Sequence, residues 1–237
     1  MEIQTALYMI PVGISSAPLS DVLPPANKEI IKGIRYFIVE NIRTARRFLK
    51  KLDPAIDISA LTFYELNFHT PANEISGYLD PLRRGEPVGV MSEAGCPGVA
   101  DPGAAIVKIA QAEGLKVIPL VGPSSILISL MASGLNGQSF SFHGYLPIDG
   151  KEREKRIKEL ENQSRRYDMT QIFIETPYRN ERMMESLLKN LGGETLLCVA
   201  ADVTDPDESI VTLPVRKWKT EGYKLEKKPT IFLFYAC

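Results

Sequence analysis

Several signatures are missing from this 237-residue chain, and each absence removes a class of function. It holds three cysteines (Cys96, Cys198 and Cys237) and two histidines (His69 and His143), with no C-x-x-C pair. That supply supports neither a disulfide framework nor a zinc site, and it points to a reducing cytoplasm. No metal is expected. No basic segment opens the chain, where Glu2 stands, so no secretory leader is expected. There is no G-x-G-x-x-G after the first apolar run, where Pro11-Val12-Gly13 stands, and no G-x-x-x-x-G-K-[ST]. A dinucleotide Rossmann site and a Walker site are therefore disfavoured. H-E-x-x-H and G-x-S-x-G are absent as well, which removes the common metalloprotease and serine-hydrolase readings.

Excess charge of one sign is also lacking. The formal net charge is −1, so no global field drives the chain onto nucleic acid, and any RNA contact must be local. An uninterrupted membrane span is missing too. Residues 117–142 carry no Asp, Glu, Lys or Arg, but Pro119, Gly122, Pro123, Gly134, Asn136 and Gly137 break the run. A spanning helix needs about 20 continuous apolar residues, so this stretch reads as strand, turn, helix and loop.

The remaining pattern is that of an ordinary globular protein, 44% apolar and 24% charged. Short apolar runs alternate with helical periodicities: 6–10, 36–40, 61–64, 88–91 and 116–121 as strands, with helices between them. This alternation predicts a mostly parallel sheet flanked by helices. Pro81 should kink or restart the helix that begins after Thr70-Pro71, and Gly85 should end it. The second half reads as helix 125–133, strand 139–145, charged helix 151–164, strand 171–175, a helix capped by Thr176-Pro177, and closing strands 196–201, 210–215 and 230–235. The expected architecture is two α/β domains, the first with a mostly parallel sheet and the second with a mixed one. The expected boundary gives domains 1–121 and 122–237, with a ligand cleft between them.

The most informative stretch is Ser92-Glu93-Ala94-Gly95-Cys96-Pro97-Gly98-Val99-Ala100-Asp101-Pro102-Gly103. A loop rich in Gly and Pro after a buried strand stands where open α/β sheets bind ligands. Asp101-Pro102 reads as a helix start, with Asp as N-cap and Pro as first helical residue. Pro11-Val12-Gly13 and Gly122-Pro123-Ser124-Ser125 should open on the same side of the sheet, because all strand ends of a parallel sheet do. Ser124 and Ser125 read equally well as simple N-caps. Glu175, at a strand end beside Tyr178, could face a polar ligand or pair with Arg179. Arg43, Arg46, Arg47, Lys50 and Lys51 crowd one helix, either as a solvated face or as a phosphate-contacting one. Residues 151–158 read as a solvated helix of mixed charge, and both histidines as packing residues.

Together these motifs resemble the tetrapyrrole-methylase-like methyltransferases, whose cofactor loop reads S-D-A-G-T-P…D-P-G. The branch most similar is the ribosomal RNA small-subunit methyltransferase I group. The likeness continues through Gly122-Pro123-Ser124-Ser125, Ser133-Gly134-Leu135, Phe142-His143-Gly144-Tyr145-Leu146-Pro147 and Phe173-Ile174-Glu175-Thr176-Pro177-Tyr178-Arg179, in colinear order. The resemblance implies S-adenosylmethionine as cofactor, a homodimer, and methyl transfer to a cytidine ribose 2′-hydroxyl in small-subunit ribosomal RNA. It implies a cofactor site of Pro11, Ser92, Glu93, Ala94, Pro97, Ser124, Ser125, Glu175 and Val203. Glu40-Asn41-Ile42-Arg43 stands where the family has Glu-Asp-Thr-Arg, which puts Glu40, Arg43 and Arg46 on the substrate side. Glu40 and Glu93 are the candidate catalytic carboxylates.

Three stretches depart from the family. Gly13-Ile14-Ser15-Ser16-Ala17 replaces G-N-L-G-D, Glu93 replaces an Asp, and Ala200-Ala201-Asp202-Val203-Thr204 lacks the Arg of A-R-E-L-T. The changes bear on the acceptor more than on the cofactor. A tetrapyrrole C-methylase and a non-catalytic cofactor- or RNA-binding module remain the alternatives.

Overall fold

A computed structural model describes residues 3–223, 225 and 227–236. Glu2 and Cys237 lie outside the described residues. The chain divides into two compact units, Met1–Ser124 and Ser125–Cys237, a boundary three residues beyond the expected turn at Val121.

In the first unit, strands β1 (Leu7–Met9), β2 (Tyr36–Val39), β3 (Thr62–Glu65), β4 (Val88–Met91) and β5 (Val117–Pro119) form one sheet, ordered β3-β2-β4-β1-β5. Every pairing is parallel. Helices cover both faces: α1 (Leu19–Val22), α2 (Pro25–Lys32), α3 (Ile42–Leu52), α4 (Ala72–Ile75), α5 (Asp80–Arg83) and α6 (Gly103–Ala112). That explains the continuous apolar strands, because alternate residues enter separate cores. Tyr8, Ile10, Phe37 and Val39 pack with Ile31 and Leu49. Leu7, Met9, Ile38 and Val90 pack on the other face with Leu82 and Ile106.

The strand order fixes where a ligand can sit. From β1 the chain passes to β2 on one side, and from β4 it passes to β5 on the other. Neighbours β1 and β4 therefore flank a topological switch point, the place outside the strand ends where open α/β sheets bind ligands.

In the second unit, β6 (Phe140–Tyr145), β7 (Thr170–Glu175), β8 (Leu196–Ala201), β9 (Ser209–Pro214) and β10 (Thr230–Tyr235) are ordered β6-β7-β10-β8-β9. Only β6–β7 is parallel; the other pairings are antiparallel. Phe173, Leu197, Val199, Phe232 and Phe234 face α8 (Gly150–Tyr167), α9 (Asn180–Asn190) and α10 (Val215–Glu221). On the opposite face lies α7 (Ser125–Ser133), whose Ser133 carbonyl accepts a hydrogen bond from Thr212 Oγ1 at 2.7 Å.

Several local expectations need correction. The segment 72–83 is three short pieces instead of one helix, although Pro81 does restart a helix, as expected, in the first turn of α5. Helices α1, α2 and α10 were not legible from periodicity; α10 begins at Val215, which the sequence pattern placed in a strand. Its Val215 and Trp218 sit one turn apart and are buried, and Trp218 Nε1 donates to the Leu197 carbonyl at 2.9 Å. Helix α8 is not a purely solvated helix. Arg153 is buried and donates to Ser186 Oγ (3.0 Å) and to the Ile148 carbonyl (2.9 Å). Glu161 accepts from Gly192 N–H at 2.7 Å and from Thr195 Oγ1. His143 is half-buried against Gln171, 2.6 Å away, and burial lowers its pKa. His69 is exposed, so it has no packing role.

Candidate active site

Three loops of the first unit meet beyond the β1–β4 crevice. After β1, Val12 N–H donates to the Gly95 carbonyl at 3.0 Å, forming an isolated antiparallel bridge to the loop after β4. The loop after β5 closes the third side. Cys96 Sγ donates to the Pro123 carbonyl at 3.4 Å, and Gly122 abuts the ring of Pro11. A Cβ at Gly122 would collide with that ring, within 2.7 Å of its Cγ, so only glycine fits there. Gly95 has φ 70°, a left-handed conformation that glycine adopts without strain. Asn27 of α2 anchors the third loop, donating from Nδ2 to the Val121 carbonyl at 2.8 Å.

The long loop after β4 is held from inside. Asp101 accepts Gly98 N–H at 2.9 Å and Gly103 N–H at 2.6 Å. It was expected to be the N-cap itself. In the structure α6 begins at Gly103, Pro102 occupies the cap position, and the Asp101 carboxylate performs the capping from one residue further out. Ala100, just before it, has φ 61°, which costs a residue with a side chain some strain.

The carboxylates gather at this edge. Burial pushes the Glu40 carboxyl above its ordinary value, neighbouring Glu93 and Asp101 add to the rise, and a hydrogen bond from Glu93 N–H opposes it. Glu93 is exposed, and its Oε2 accepts from Thr44 Oγ1 at 3.2 Å. Thr44 sits in the first turn of α3, whose N-cap Asn41 accepts from Arg43 N–H (2.9 Å) and Thr44 N–H (3.2 Å). A capped helix start thus aims a hydroxyl at Glu93. Periodicity alone did not single out Thr44 or Asn41; the Asn-x-x-Thr spacing just after a strand was the available signal.

A cavity of about 200 Å³ opens beside Glu93. Its lining includes Ser15, Thr44, Arg47, Phe48, Lys51 and Glu93. Arg43 is exposed on the first turn of α3. Arg46 stands over the Phe63 ring, 5.3 Å from its centroid, and does not line the cavity; its neighbour Arg47 does. Pro11 and Pro97 are buried, Ser92 and Ser124 half-buried, and Ala94 exposed.

In the second unit, Glu175 ends β7 and Val203 follows two residues after β8, both at the same end of the strands, because Thr230 pairs with Glu175 on one side and with Ala201 on the other. Glu175 is buried and paired with Arg179, through Nη2 at 2.6 Å and Nε at 2.8 Å. Its Oε1 also accepts Thr176 N–H at 2.6 Å. All three bonds use Oε1, which leaves Oε2 outside this cluster. Val203 is buried between Asp202 (φ 49°) and Thr204 (φ 73°), a strained turn of the kind that accumulates at binding sites. Ser125 opens α7.

No group of three or more His, Cys, Asp or Glu side chains able to hold a metal occurs among the described residues. Among the same residues, no helix is long and apolar enough to cross a membrane.

Solved methyltransferases, among them ones named for uroporphyrin-III and cobalt precorrin-4, share this two-unit α/β fold. The methyltransferase CobJ superposes with a TM-score of 0.62 over 100% of this chain and 95% of its own, at 19% identity. A uroporphyrin-III C-methyltransferase from Thermus thermophilus, complexed with S-adenosyl homocysteine, gives 0.59 over 97% of both chains at 14% identity. At these identities the likeness is one of fold. Sequence relatives are more specific. The Ribosomal RNA small subunit methyltransferase I of Vibrio cholerae is 31% identical over 233 residues, 97% of this chain and 77% of that protein. The protein of the same name from Escherichia coli O157:H7 is 29% identical over 212 residues, 90% of this chain and 70% of its own length. No family model matches the chain. The chain belongs to the ribosomal RNA small subunit methyltransferase I family.

Proposed function

We propose that this protein is an S-adenosylmethionine-dependent methyltransferase that methylates a cytidine ribose 2′-hydroxyl in small-subunit ribosomal RNA. The observation that carries the reading is the 31% identity to a protein of that name across 97% of the chain. The crevice supports it, with Gly122 and Gly95 permitting close backbone approach and Glu40, Glu93 and Asp101 setting a negative potential. Such a donor set suits a sulfonium cation. In this reading Pro11, Ser92, Glu93, Ala94, Pro97 and Ser124 of the first unit contact the cofactor, and Ser125, Glu175 and Val203 are the contacts of the second.

The cofactor supplies the electrophilic methyl group. The protein's part is to hold the acceptor oxygen in line at about 3–3.5 Å and to take its proton as the bond forms. Glu40 and Glu93 are the proposed proton acceptors. A rise in Glu40 pKa makes its carboxylate a stronger base once ionised, and the Thr44 hydroxyl orients Glu93. A cytoplasmic homodimer belongs to the same reading.

The test is methylation of small ribosomal subunits from a strain lacking the gene, with tritiated S-adenosylmethionine. Label at a ribose 2′-oxygen is expected. Label appearing instead in a corrinoid or porphyrinoid precursor would replace this function with the tetrapyrrole one. Cofactor binding without any acceptor would leave a binding module.

A further inference from the structure

Helix α3 carries five cations and no acid: Arg43, Arg46, Arg47, Lys50 and Lys51. In a chain of net charge −1 this is a local concentration. None of the five has a carboxylate within 4 Å among the described residues. Lys50 and Lys51 donate to backbone carbonyls instead, of Pro54 (2.8 Å) and Ala17 (3.1 Å), which orients the ammonium groups without neutralising them. A solvated helix face ordinarily intersperses acids at i±3 and i±4, as α8 does with Lys155–Glu159 and Arg156–Glu159. The face of α3 lacks that compensation.

The second observation is the cavity of about 200 Å³ beside it. Arg47 and Lys51 reach it from α3, and Glu93 and Ser92 line it from the loop after β4. Phe48, Leu19 and Met91 supply apolar surface. The lining is thus polarised, with cations from one element and a carboxylate from another. That is the pattern a nucleotide presents in reverse, with an anionic phosphate at one end and a hydroxyl that must lose a proton at the other. Arginine matches phosphate oxygens with a planar fork of donors.

We propose that this cavity is the acceptor-nucleotide subsite, in which Arg47 and Lys51 bind a phosphodiester of single-stranded RNA and thereby bring the adjoining ribose toward Glu93. The assignment rests on the proposed RNA acceptor and adds the residues that position it. Arg47 contacts the backbone, so its contribution is affinity and register, not base identity.

The test compares Arg47→Glu, Arg47→Lys and Lys108→Glu in the full chain. Lys108 is an exposed cation of α6 in the same unit, and its reversal changes net charge by the same amount. The probe is a single-stranded RNA oligonucleotide of small-subunit sequence, titrated by fluorescence anisotropy over a range of salt. S-adenosylmethionine binding by calorimetry reports an intact fold. Arg47→Glu is expected to lose about tenfold or more in RNA affinity and to reduce the salt slope by about 0.7, the value for one phosphate contact on a single strand. KM for RNA should rise more than kcat falls, Arg47→Lys should keep the wild-type salt slope while losing the part of the affinity that the forked contact supplies, and Lys108→Glu should match the wild type. Equal losses in Arg47→Glu and Lys108→Glu, or no loss in either, overturn the subsite. If the wild type methylates ribosomal subunits in that case, the proposed function stands without it. A wild type that binds and methylates no RNA, yet binds inorganic phosphate through Arg47, overturns RNA as the occupant and the proposed acceptor with it.

Discussion

Gly122 abuts Pro11 so closely that no side chain fits between the loop after β5 and the loop after β1. The contact ties two strand-end loops together on one side of the crevice, as the Val12–Gly95 bridge does on the other. The pyrrolidine ring cannot rotate away, so a substitution must displace backbone. Gly122→Ala should therefore destabilise the protein by about 1–3 kcal/mol and weaken S-adenosylmethionine binding beyond what the stability loss accounts for. Urea unfolding and calorimetry measure the two effects. Wild-type cofactor affinity in Gly122→Ala would show that the crevice geometry is not used.

The pH dependence of Glu40 has a definite sign. Its folded-state pKa lies above the ordinary value of 4.5, chiefly through burial, so the folded state holds the proton more tightly than the unfolded chain does. The resulting stabilisation is full below about pH 4.5 and is lost as pH rises through the folded value. Glu40→Gln should consequently melt higher than wild type near neutral pH, and the difference should vanish in acid. If Glu40 is the proton acceptor, the same variant loses about 100-fold or more in methyl transfer at unchanged cofactor affinity. A variant that melts lower than wild type at neutral pH would contradict the electrostatic account.

Glu175 and Arg179 separate structure from binding. Arg179→Ala leaves a buried carboxylate without its cation, at a cost of about 3 kcal/mol, the low end for such pairs because Arg179 is itself 29% exposed. The double variant Glu175→Gln, Arg179→Met removes both charges and should regain most of that stability. It should not regain S-adenosylmethionine affinity, since the proposed contact is lost. Recovery of both would reduce the pair to a structural role.

Arg153→Ala tests the correction to α8. It removes donors to Ser186 Oγ and the Ile148 carbonyl and should cost about 3 kcal/mol in denaturant unfolding. Neighbouring Lys155→Ala, at an exposed position, should change stability by about 0.5 kcal/mol or less. Equal effects would return the whole segment to a solvated face.

Much of the fold was legible because burial on both faces writes itself as short apolar runs. Residues 196–201 and 230–235 form strands with the expected bounds, and 88–91 does likewise. The elements that escaped notice are short or owe their existence to distant partners. Helix α10 is fixed by Trp218 against the Leu197 carbonyl, a contact 21 residues away that no local pattern encodes. The charge on α8 looked like solvent exposure because sequence gives a residue's type but not which face of the helix meets a core.

At the site, the residue types and their order came from the sequence: a Gly/Pro loop after β4, a Pro11 loop after β1, and a Gly-Pro-Ser-Ser turn after β5. Parallel topology was enough to predict that these loops would share one end of the sheet. Only the tertiary structure decided how they meet, because hydrogen-bond partners and steric contacts between loops depend on coordinates, not on spacing. It joined Val12 to Gly95, seated Gly122 on Pro11, gave Glu93 the Thr44 hydroxyl, and turned Arg47 rather than Arg46 into the cavity. Helical spacing could not make that last choice, since adjacent positions differ by about 100° and the ring of Phe63 claims one of the two.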